Sequence, residues 1–579
     1  MSAPGHQQDG SGMAKAALPL RSRRRIKLAL LLIAAVSLYT VFYLGHFPTS
    51  KDYGQFFSSG ISKEGISGKQ RNATLQARAE EVKMAFRRGY GQYLRHSYPR
   101  DELRPLSNES IDNFNGWGVT VVDSIDTMFL MGLTEEYEHA RSHVATTDFQ
   151  TCKGGVVPFF ETIIRYLGGL LSAYHLTEDQ TFLSAADHIG RELLPAFNTT
   201  WKLPSFSVDL VTRTPQWGWS GRTILLSEAA SNQMEYKYLA HLTGHAEYFQ
   251  KSDQVTRFLQ KKLGGYGLWN TMWDAMSGLP SNAAWSIGAL GDSAYEYLLK
   301  AYIMSGRTEK YLLEIYIKSM RGAVNRLVYL SRTRQLLYIT EVVEKRPQGT
   351  MQHLSCFFPG LLALGDYLLQ DSDFLPGERE KFRFAAEGLA YTCWILYADQ
   401  ITGLGPEEVR FHPYNGDDDY QSGRWVHHLD RWKAKGRKGL PPGLRKPPPL
   451  RGKTGKHKDY DYANAGYLLR PEAIETMYIM WRTTGDVVWR ERAWKMFEAI
   501  NTNTTVDGGA FASRSHVDIE EKLMRDESPS YFFAETLKYA YLACLEDDPL
   551  PLDQYVFNTE AHPLPIFSWT QEQRERFGV

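Results

Sequence analysis

Between residues 160 and 174 the apolar side chains Phe160, Ile163, Ile164, Leu167, Leu171 and Tyr174 recur every three or four positions. That spacing predicts a helix with one packed face, and it leaves Glu161, Arg165, Gly168 and Ser172 on a face that can serve a site. A second pattern repeats along the chain: a helix ends at Thr or Ser, a polar or glycine step follows, and another helix opens. Copies stand at 133–137, 176–179, 242–245, 304–307 and 483–486. Where adjacent copies lie roughly 60 residues apart, the interval is that of a helical hairpin with its loops. About seven such hairpins fit between residues 75 and 545, and the pattern allows an open solenoid or a closed α/α toroid.

Three stretches depart from this pattern. Residues 28–45 (LALLLIAAVSLYTVFYLG) are an uncharged apolar run close to the ~20 residues that cross a bilayer. Arg21, Arg23, Arg24, Arg25 and Lys27 precede the run, and the next basic residue is Lys51. The positive-inside rule then puts residues 1–27 in the cytosol and the body in the lumen, a single-pass type II arrangement. A cleaved signal peptide is the rival reading, but the run is longer than a usual apolar core and no small-x-small site follows it cleanly. Residues 46–74 are polar and bear Gly and Ser, the composition of a stem, so the catalytic body is expected over 75–579. Inside it, residues 417–458 are rich in Lys, Arg, Pro and Gly, which predicts a solvated surface insertion.

A chain of 579 residues with 43% hydrophobic content can bury a large core. Lys plus Arg and Asp plus Glu are both 66, so no global field points to nucleic acid as a partner. Acceptor triplets for N-glycosylation at Asn72, Asn108, Asn198 and Asn503 accord with a luminal body. Cys152, Cys356, Cys393 and Cys544 are too few for a disulfide scaffold and permit one or two bridges, with connectivity left open.

The candidate chemistry lies in carboxylates far apart in sequence. Glu161 in Phe160-Glu161-Thr162-Ile163-Ile164-Arg165, Asp292 in Leu290-Gly291-Asp292-Ser293 and Glu472 in Leu469-Arg470-Pro471-Glu472 each stand at or near a helix terminus. Separate hairpins can hold such groups ~6.5–9.5 Å apart, the gap an inverting glycoside hydrolase needs between its acid and its base. Plainer readings exist: Glu161 and Arg165 as an i,i+4 pair, Asp292 as an N-cap, Glu472 as an acid favoured by a helix dipole. The combination, together with Val556-Phe557-Asn558-Thr559-Glu560-Ala561-His562-Pro563, resembles glycoside hydrolase family 47, the inverting α-1,2-mannosidases.

The resemblance runs from about Leu75 to Pro565 and implies an all-α (α/α)7 barrel behind an N-terminal transmembrane anchor. It implies Glu161 as general acid, Glu472 as general base and Asp292 as a third essential carboxylate. Arg165, His353, Glu407, Arg470, Glu475, Tyr531, Glu535 and Glu560 match positions that bind sugar or water. Thr559 matches a Ca²⁺ ligand that gives its hydroxyl and carbonyl, waters and sugar hydroxyls completing the six to eight oxygens. Cys356 and Cys393 match a disulfide pair. The implied substrate is high-mannose N-glycan on glycoproteins, trimmed of terminal α-1,2-mannose from its nine- and eight-mannose forms (Man9, Man8) in the endoplasmic reticulum or Golgi membrane. Independently, Trp217 and Trp219 offer rings that stack on sugars or pack a loop.

Some positions depart from the family pattern. Leu290 stands where the reticulum members that remove one mannose carry Arg and broader Golgi members carry Leu. Gln352-His353-Leu354 and Phe358-Pro359-Gly360 look instead like the reticulum group, and Tyr531 replaces the usual Phe. A mannose-binding, lectin-like degradation factor is the competing class, and the intact carboxylates favour an enzyme.

Overall fold

The computed structural model describes residues 68–218, 221–416, 419–453 and 455–579, within one compact unit, Gly68–Val579. The expected cytosolic tail, the anchor and all but the end of the stem lie outside the described residues, as does Trp219. Among the described residues, no helix is long and apolar enough to cross a membrane.

The chain alternates between two kinds of helix. The odd-numbered helices are α1 (Gly68–His96), α3 (Thr134–Thr146), α5 (Gln180–Leu193), α7 (Ala246–Lys262), α9 (Lys310–Arg326), α11 (Glu378–Ala398) and α13 (Val487–Thr504). The even-numbered helices are α2 (Val119–Leu130), α4 (Gly168–Thr177), α6 (Gln233–Thr243), α8 (Asp292–Met304), α10 (Phe357–Leu368), α12 (Glu472–Thr484) and α14 (Leu537–Cys544). Most odd helices are amphipathic: α7 buries Tyr248, Phe249, Ser252, Val255, Thr256 and Leu259, one stripe at helical spacing. The even helices are enclosed instead, and α8 buries every residue from Ser293 to Met304. An all-round buried helix needs neighbours on every side, which only an inner layer supplies.

Contacts bear this out. Each even helix packs on the odd helix that follows it, and α14 packs on α1. The even helices also touch in sequence from α2 to α14, and the segment before α14 packs back on α2. The ring therefore closes, and the open solenoid is excluded. The architecture is a helical toroid of inner and outer helices.

One turn device recurs where inner helices pass to outer ones. Thr177, Thr243 and Thr484 each donate a hydroxyl to the carbonyl four residues back, on Ala173, Leu239 and Met480. Each hydroxyl also accepts the amide two residues on, from Asp179, His245 and Asp486. A left-handed residue ends the helix, Glu178, Gly244 or Gly485, closing the C-terminus as αL caps do. These turns are the repeat read in the sequence.

The outer-to-inner connections are long and carry small antiparallel sheets of two or three strands. The expectation of an all-α chain is corrected in this respect: short strands within these long connections pair with one another because their backbone groups would otherwise lie unpaired over the ring.

The solvated reading of the 417–458 insertion is corrected too. It contains a helix, Trp425–Ala434, and it buries Trp425, Leu429 and Leu444. Its far end is stapled by Arg334, which pairs with Asp399 at 2.6 Å and donates to the Pro448 carbonyl at 3.1 Å. Buried Lys458 pairs with Asp518 at 2.8 Å. The bridge Cys356–Cys393 joins α11 to the turn before α10, whereas Cys152 and Cys544 carry free thiols.

Strands Tyr555–Phe557 and Pro563–Pro565 form a C-terminal hairpin with Val556 opposite Leu564. It packs against α4 and α8, inner helices, so its tip enters the ring.

Candidate active site

The predicted residues gather where the inner helices begin. Asp292 is the first residue of α8; Glu472 and Glu475 lie in the first turn of α12. Glu161 and Arg165 precede α4, and Glu535 precedes α14; Glu161 adjoins and Arg165 lies within the π-helical segment Thr162–Leu167, and Glu535 lies within the π-helical segment Phe532–Thr536. Such segments widen a helix by one residue and are frequent at functional sites. Helix N-termini also carry partial positive charge, which favours anions there. Two leucines hold left-handed backbone just before the acidic helices, Leu290 at φ 71° and Leu469 at φ 63°. A bulky residue adopts that conformation at a cost, and such strain concentrates at functional sites.

Glu472 is held between His353 and Arg470. His353 Nδ1 lies 2.8 Å from its Oε2, and the other ring nitrogen lies 2.7 Å from the Tyr397 hydroxyl. Arg470 stands 3.8 Å from Oε1 and pairs with Glu407 at 2.6 Å. Burial opposes ionisation, but the His353 contact and the Arg470 charge prevail and hold Glu472 below the usual carboxylate range. Asp292 behaves oppositely. Burial pushes it up to about 7 against the Ser293 amide, with Glu296 and Glu472 adding to the rise. Burial likewise pushes Glu475 up to about 8, against the attraction of Lys300. Glu161 is half-buried and accepts from Arg165 Nε at 2.8 Å.

The hairpin tip completes the site. Asn558 donates to the Ile164 carbonyl at 3.0 Å and to Glu235 at 2.8 Å, while its own oxygen accepts the Glu560 and His562 amides. His562, fully buried, lies 2.9 Å from Asp126 and 3.1 Å from Asp123 of α2. Lys538 of α14 pairs with Asp126 at 2.9 Å and donates to the Ala561 carbonyl at 2.6 Å. Desolvation opposes charge on His562, but the two aspartates outweigh it and raise its pKa. Asp126 falls to about 2 despite burial, through Lys538 and His562. Arg165 joins Glu560 to Glu161, so this buried network connects the tip to the candidate acid. Gly168 and Gly169 make room for it: a Cβ on Gly168 would lie 2.5 Å from the Asn558 amide nitrogen, and one on Gly169 would lie 2.8 Å from the Val122 carbonyl.

Thr559 stands at the tip beside these acids. Among the described residues its hydroxyl and carbonyl form no hydrogen bond, and its amide donates to the Tyr297 hydroxyl at 3.4 Å. Glu535 and Glu560 sit well above the usual range because burial disfavours charge, with Glu560 and Glu472 adding to the rise at Glu535, and Asp123 and Glu161 adding to it at Glu560 against the Arg165 charge. No group of three or more His, Cys, Asp or Glu able to hold a metal exists among the described residues. The donor set, two unpaired oxygens of one threonine amid crowded carboxylates, fits a hard cation that keeps most of its waters.

The structure thus brings together Glu161, Arg165, Asp292, His353, Glu407, Arg470, Glu472, Glu475, Glu535, Glu560 and Thr559. Tyr531 joins them, its ring 5.6 Å from the Arg165 guanidinium and 6.0 Å from that of Arg470. Trp217 is exposed, and among the described residues no hydrogen bond or ring contact ties it to this cluster. The sequence reading missed Asp123, Asp126, His562, Lys538 and Glu228. Glu228 is raised to about 7 by burial and by Glu161 nearby. The signal for the aspartates was available: two acids three apart in the apolar run Val119–Leu130 need buried partners.

Comparison with known proteins adds an independent line. Residues 85–566 match the model of Glycosyl hydrolase family 47. The chain is 35% identical over 523 residues to the endoplasmic reticulum mannosyl-oligosaccharide 1,2-alpha-mannosidase of Rattus norvegicus, covering 89% of this chain and 71% of that one. It is 34% identical over 495 residues to a mannosyl-oligosaccharide 1,2-alpha-mannosidase of Arabidopsis thaliana, covering 84% and 79%. Among solved structures, the alpha-1,2-mannosidase from Trichoderma reesei aligns with a TM-score of 0.74 at 27% identity, over 85% of this chain and 99% of that one.

Proposed function

The chain belongs to glycosyl hydrolase family 47, and we propose its activity in full: inverting removal of terminal α-1,2-linked mannose from Man9 and Man8 N-glycans on glycoproteins of the secretory pathway. The observation that carries this reading is the opposite tuning of two carboxylates at one end of the ring. Glu472 is held ionised, the state a general base needs, while Asp292 beside it is pushed up to about 7, so of the two it is Glu472 that can take a proton.

Glu472 accepts a proton from the attacking water as that water bonds to the anomeric carbon and the glycosidic bond breaks. The departing oxygen takes a proton from a carboxylic acid. The family resemblance supports Glu161 as that donor, while the surroundings of Asp292 support it as the group that retains a proton near neutrality. Arg165, Arg470, Glu407 and Tyr531 orient the sugar, and His353 orients Glu472. Ca²⁺ at Thr559 would position the hydroxyls of the terminal mannose, with Glu475, Glu535 and Glu560 accepting from its waters. Residues 28–45 anchor the chain in the reticulum or Golgi membrane, with the ring in the lumen.

Leu290 sets the expected product range. Its side chain offers no hydrogen bond to hold one glycan branch, so several branches dock and trimming proceeds past Man8. Time-resolved chromatography of Man9 digests tests this: Leu290→Arg narrows the products toward one Man8 isomer. A wild-type chain that stalls at a single Man8 isomer contradicts the product range, and one that releases no mannose contradicts the activity.

A further inference from the structure

Behind Glu472 the hydrogen bonds continue past His353 to a residue outside the predicted site. His353 turns Nδ1 to Glu472 at 2.8 Å and its other ring nitrogen to the Tyr397 hydroxyl at 2.7 Å. The three side chains come from three parts of the ring: Tyr397 from the last turn of α11, His353 from the turn that leads into α10, Glu472 from the first turn of α12. Their meeting is fixed on every side. Cys393, one turn before Tyr397, is bridged to Cys356, three residues after His353. The Cys356 carbonyl in turn accepts the hydroxyl of Thr476, one turn after Glu472. The Tyr397 ring packs against Gly405, where a Cβ would collide with it. Tyr397 and His353 are both buried, so water does not stand in for either partner.

The chemistry of the three groups gives the hydroxyl a task. An ionised carboxylate only accepts, so the nitrogen facing Glu472 must carry a proton. In a neutral imidazole the other nitrogen is then bare and needs a donor; in the imidazolium it is protonated and needs an acceptor. A hydroxyl is both, and it serves the ring in either state. Without it a neutral His353 gains nothing by keeping its proton on Nδ1, and a bare Nδ1 turned to Glu472 repels the carboxylate. Tyr467 stands beside both rings, 6.1 Å from that of His353 and 6.0 Å from that of Tyr397, but its hydroxyl donates to the Arg470 carbonyl at 3.2 Å. The other charged or titratable groups facing this chain are Arg470, Asp292, Glu475 and Glu535 around Glu472, and Glu407 near Tyr397. Among the described residues, none of these side chains is hydrogen-bonded to the His353 ring.

We propose that Tyr397 is a positioning residue for the base. Its hydroxyl holds His353 in the orientation and tautomer that offer Nδ1–H to Glu472, so the carboxylate keeps its aim at the attacking water whether or not the ring is charged. The inference rests on the mannosidase reading above, and adds to it a group that acts on the sugar only through His353.

Steady-state kinetics of the full chain on α-1,2-mannobiose across pH test it. Tyr397→Phe keeps the ring and removes the hydroxyl. The expected result is kcat lowered about tenfold with KM within about twofold of wild type, the loss of one hydrogen bond of ordinary strength. On the alkaline side kcat also declines about one pH unit earlier, since only the charged ring then reliably offers a proton to Glu472. In a His353→Ala chain the same substitution adds less than about twofold, because no ring is left to hold. Unchanged kcat in Tyr397→Phe overturns the assignment. So does a tenfold loss that persists with His353 removed, or one that leaves the alkaline limb in place, since either marks a purely structural role. No mannose release by the unmodified chain overturns the mannosidase reading itself, and this assignment with it.

Discussion

The two ends of the ring are built from the same helices and are held together differently. At the turn end, inner helices stop at Thr177, Thr243 and Thr484, whose hydroxyls pair locally with backbone. At the opposite end, long connections and the C-terminal hairpin place carboxylates, arginines, His353 and His562 in contact over hundreds of residues of sequence. One end uses local hydrogen bonds and is chemically quiet. The other concentrates buried charge that must be paired or protonated, an arrangement that costs stability and supplies reactivity.

The largest effect expected is on catalysis. Glu472→Gln keeps the shape and removes the base, so kcat falls by roughly 10²–10⁴-fold while substrate binding and unfolding temperature stay near wild type. Near-normal turnover removes Glu472 from that role. Next comes the hairpin clamp. His562→Ala leaves Asp123 and Asp126 short of a cation they now share, and breaking a buried pair costs about 3–5 kcal/mol. Denaturant unfolding measures the loss; a change under about 1 kcal/mol would show that Lys538 and Arg165 alone hold the tip.

An intermediate effect is on pH dependence. Asp292 at about 7, Glu235 at about 7 and Glu475 at about 8 all sit above their ordinary values, chiefly through burial. Their contribution to stability is fully present below about pH 4 and is lost as pH rises through 7 to 8. Asp126, lowered to about 2, works the other way, and its contribution is lost only as pH falls toward that value. In chelator the unfolding temperature is therefore expected to fall between pH 5 and 8, and Ca²⁺ flattens the decline by linkage. A profile that Ca²⁺ leaves unaltered contradicts the Thr559 assignment. The smallest effect belongs to the quiet end. Gly244→Ala meets open space but a left-handed φ of 73°, so it costs about 1 kcal/mol and leaves kcat unchanged.

The quiet end was legible in the sequence because its rules are local. A Thr followed by Gly or Asp between two periodic segments specifies a turn within a few residues, and the number of hairpins follows. The inner helices were readable for the same reason, as apolar runs such as Phe357–Leu368. The reactive end was legible only in part. Glu161, Asp292 and Glu472 were found through flanking motifs, but their partners were not. Periodicity carries no information on which buried groups meet across the ring, so the contacts of Asp126 with His562 and Lys538 emerge only in three dimensions. The 417–458 insertion was misread through composition. Trp425, Leu429 and Trp432 stand at helical spacing within it, and that signal outweighs the surrounding Lys and Pro.

In the proposed mechanism water attacks opposite the departing sugar under the control of Glu472. Proton NMR of α-1,2-mannobiose hydrolysis, recorded before mutarotation equilibrates the product, tests it most directly. β-Mannose as the first product formed by the wild-type chain, and none formed by Glu472→Gln, is the result predicted; α-mannose as the first product, or undiminished release by Glu472→Gln, would contradict it.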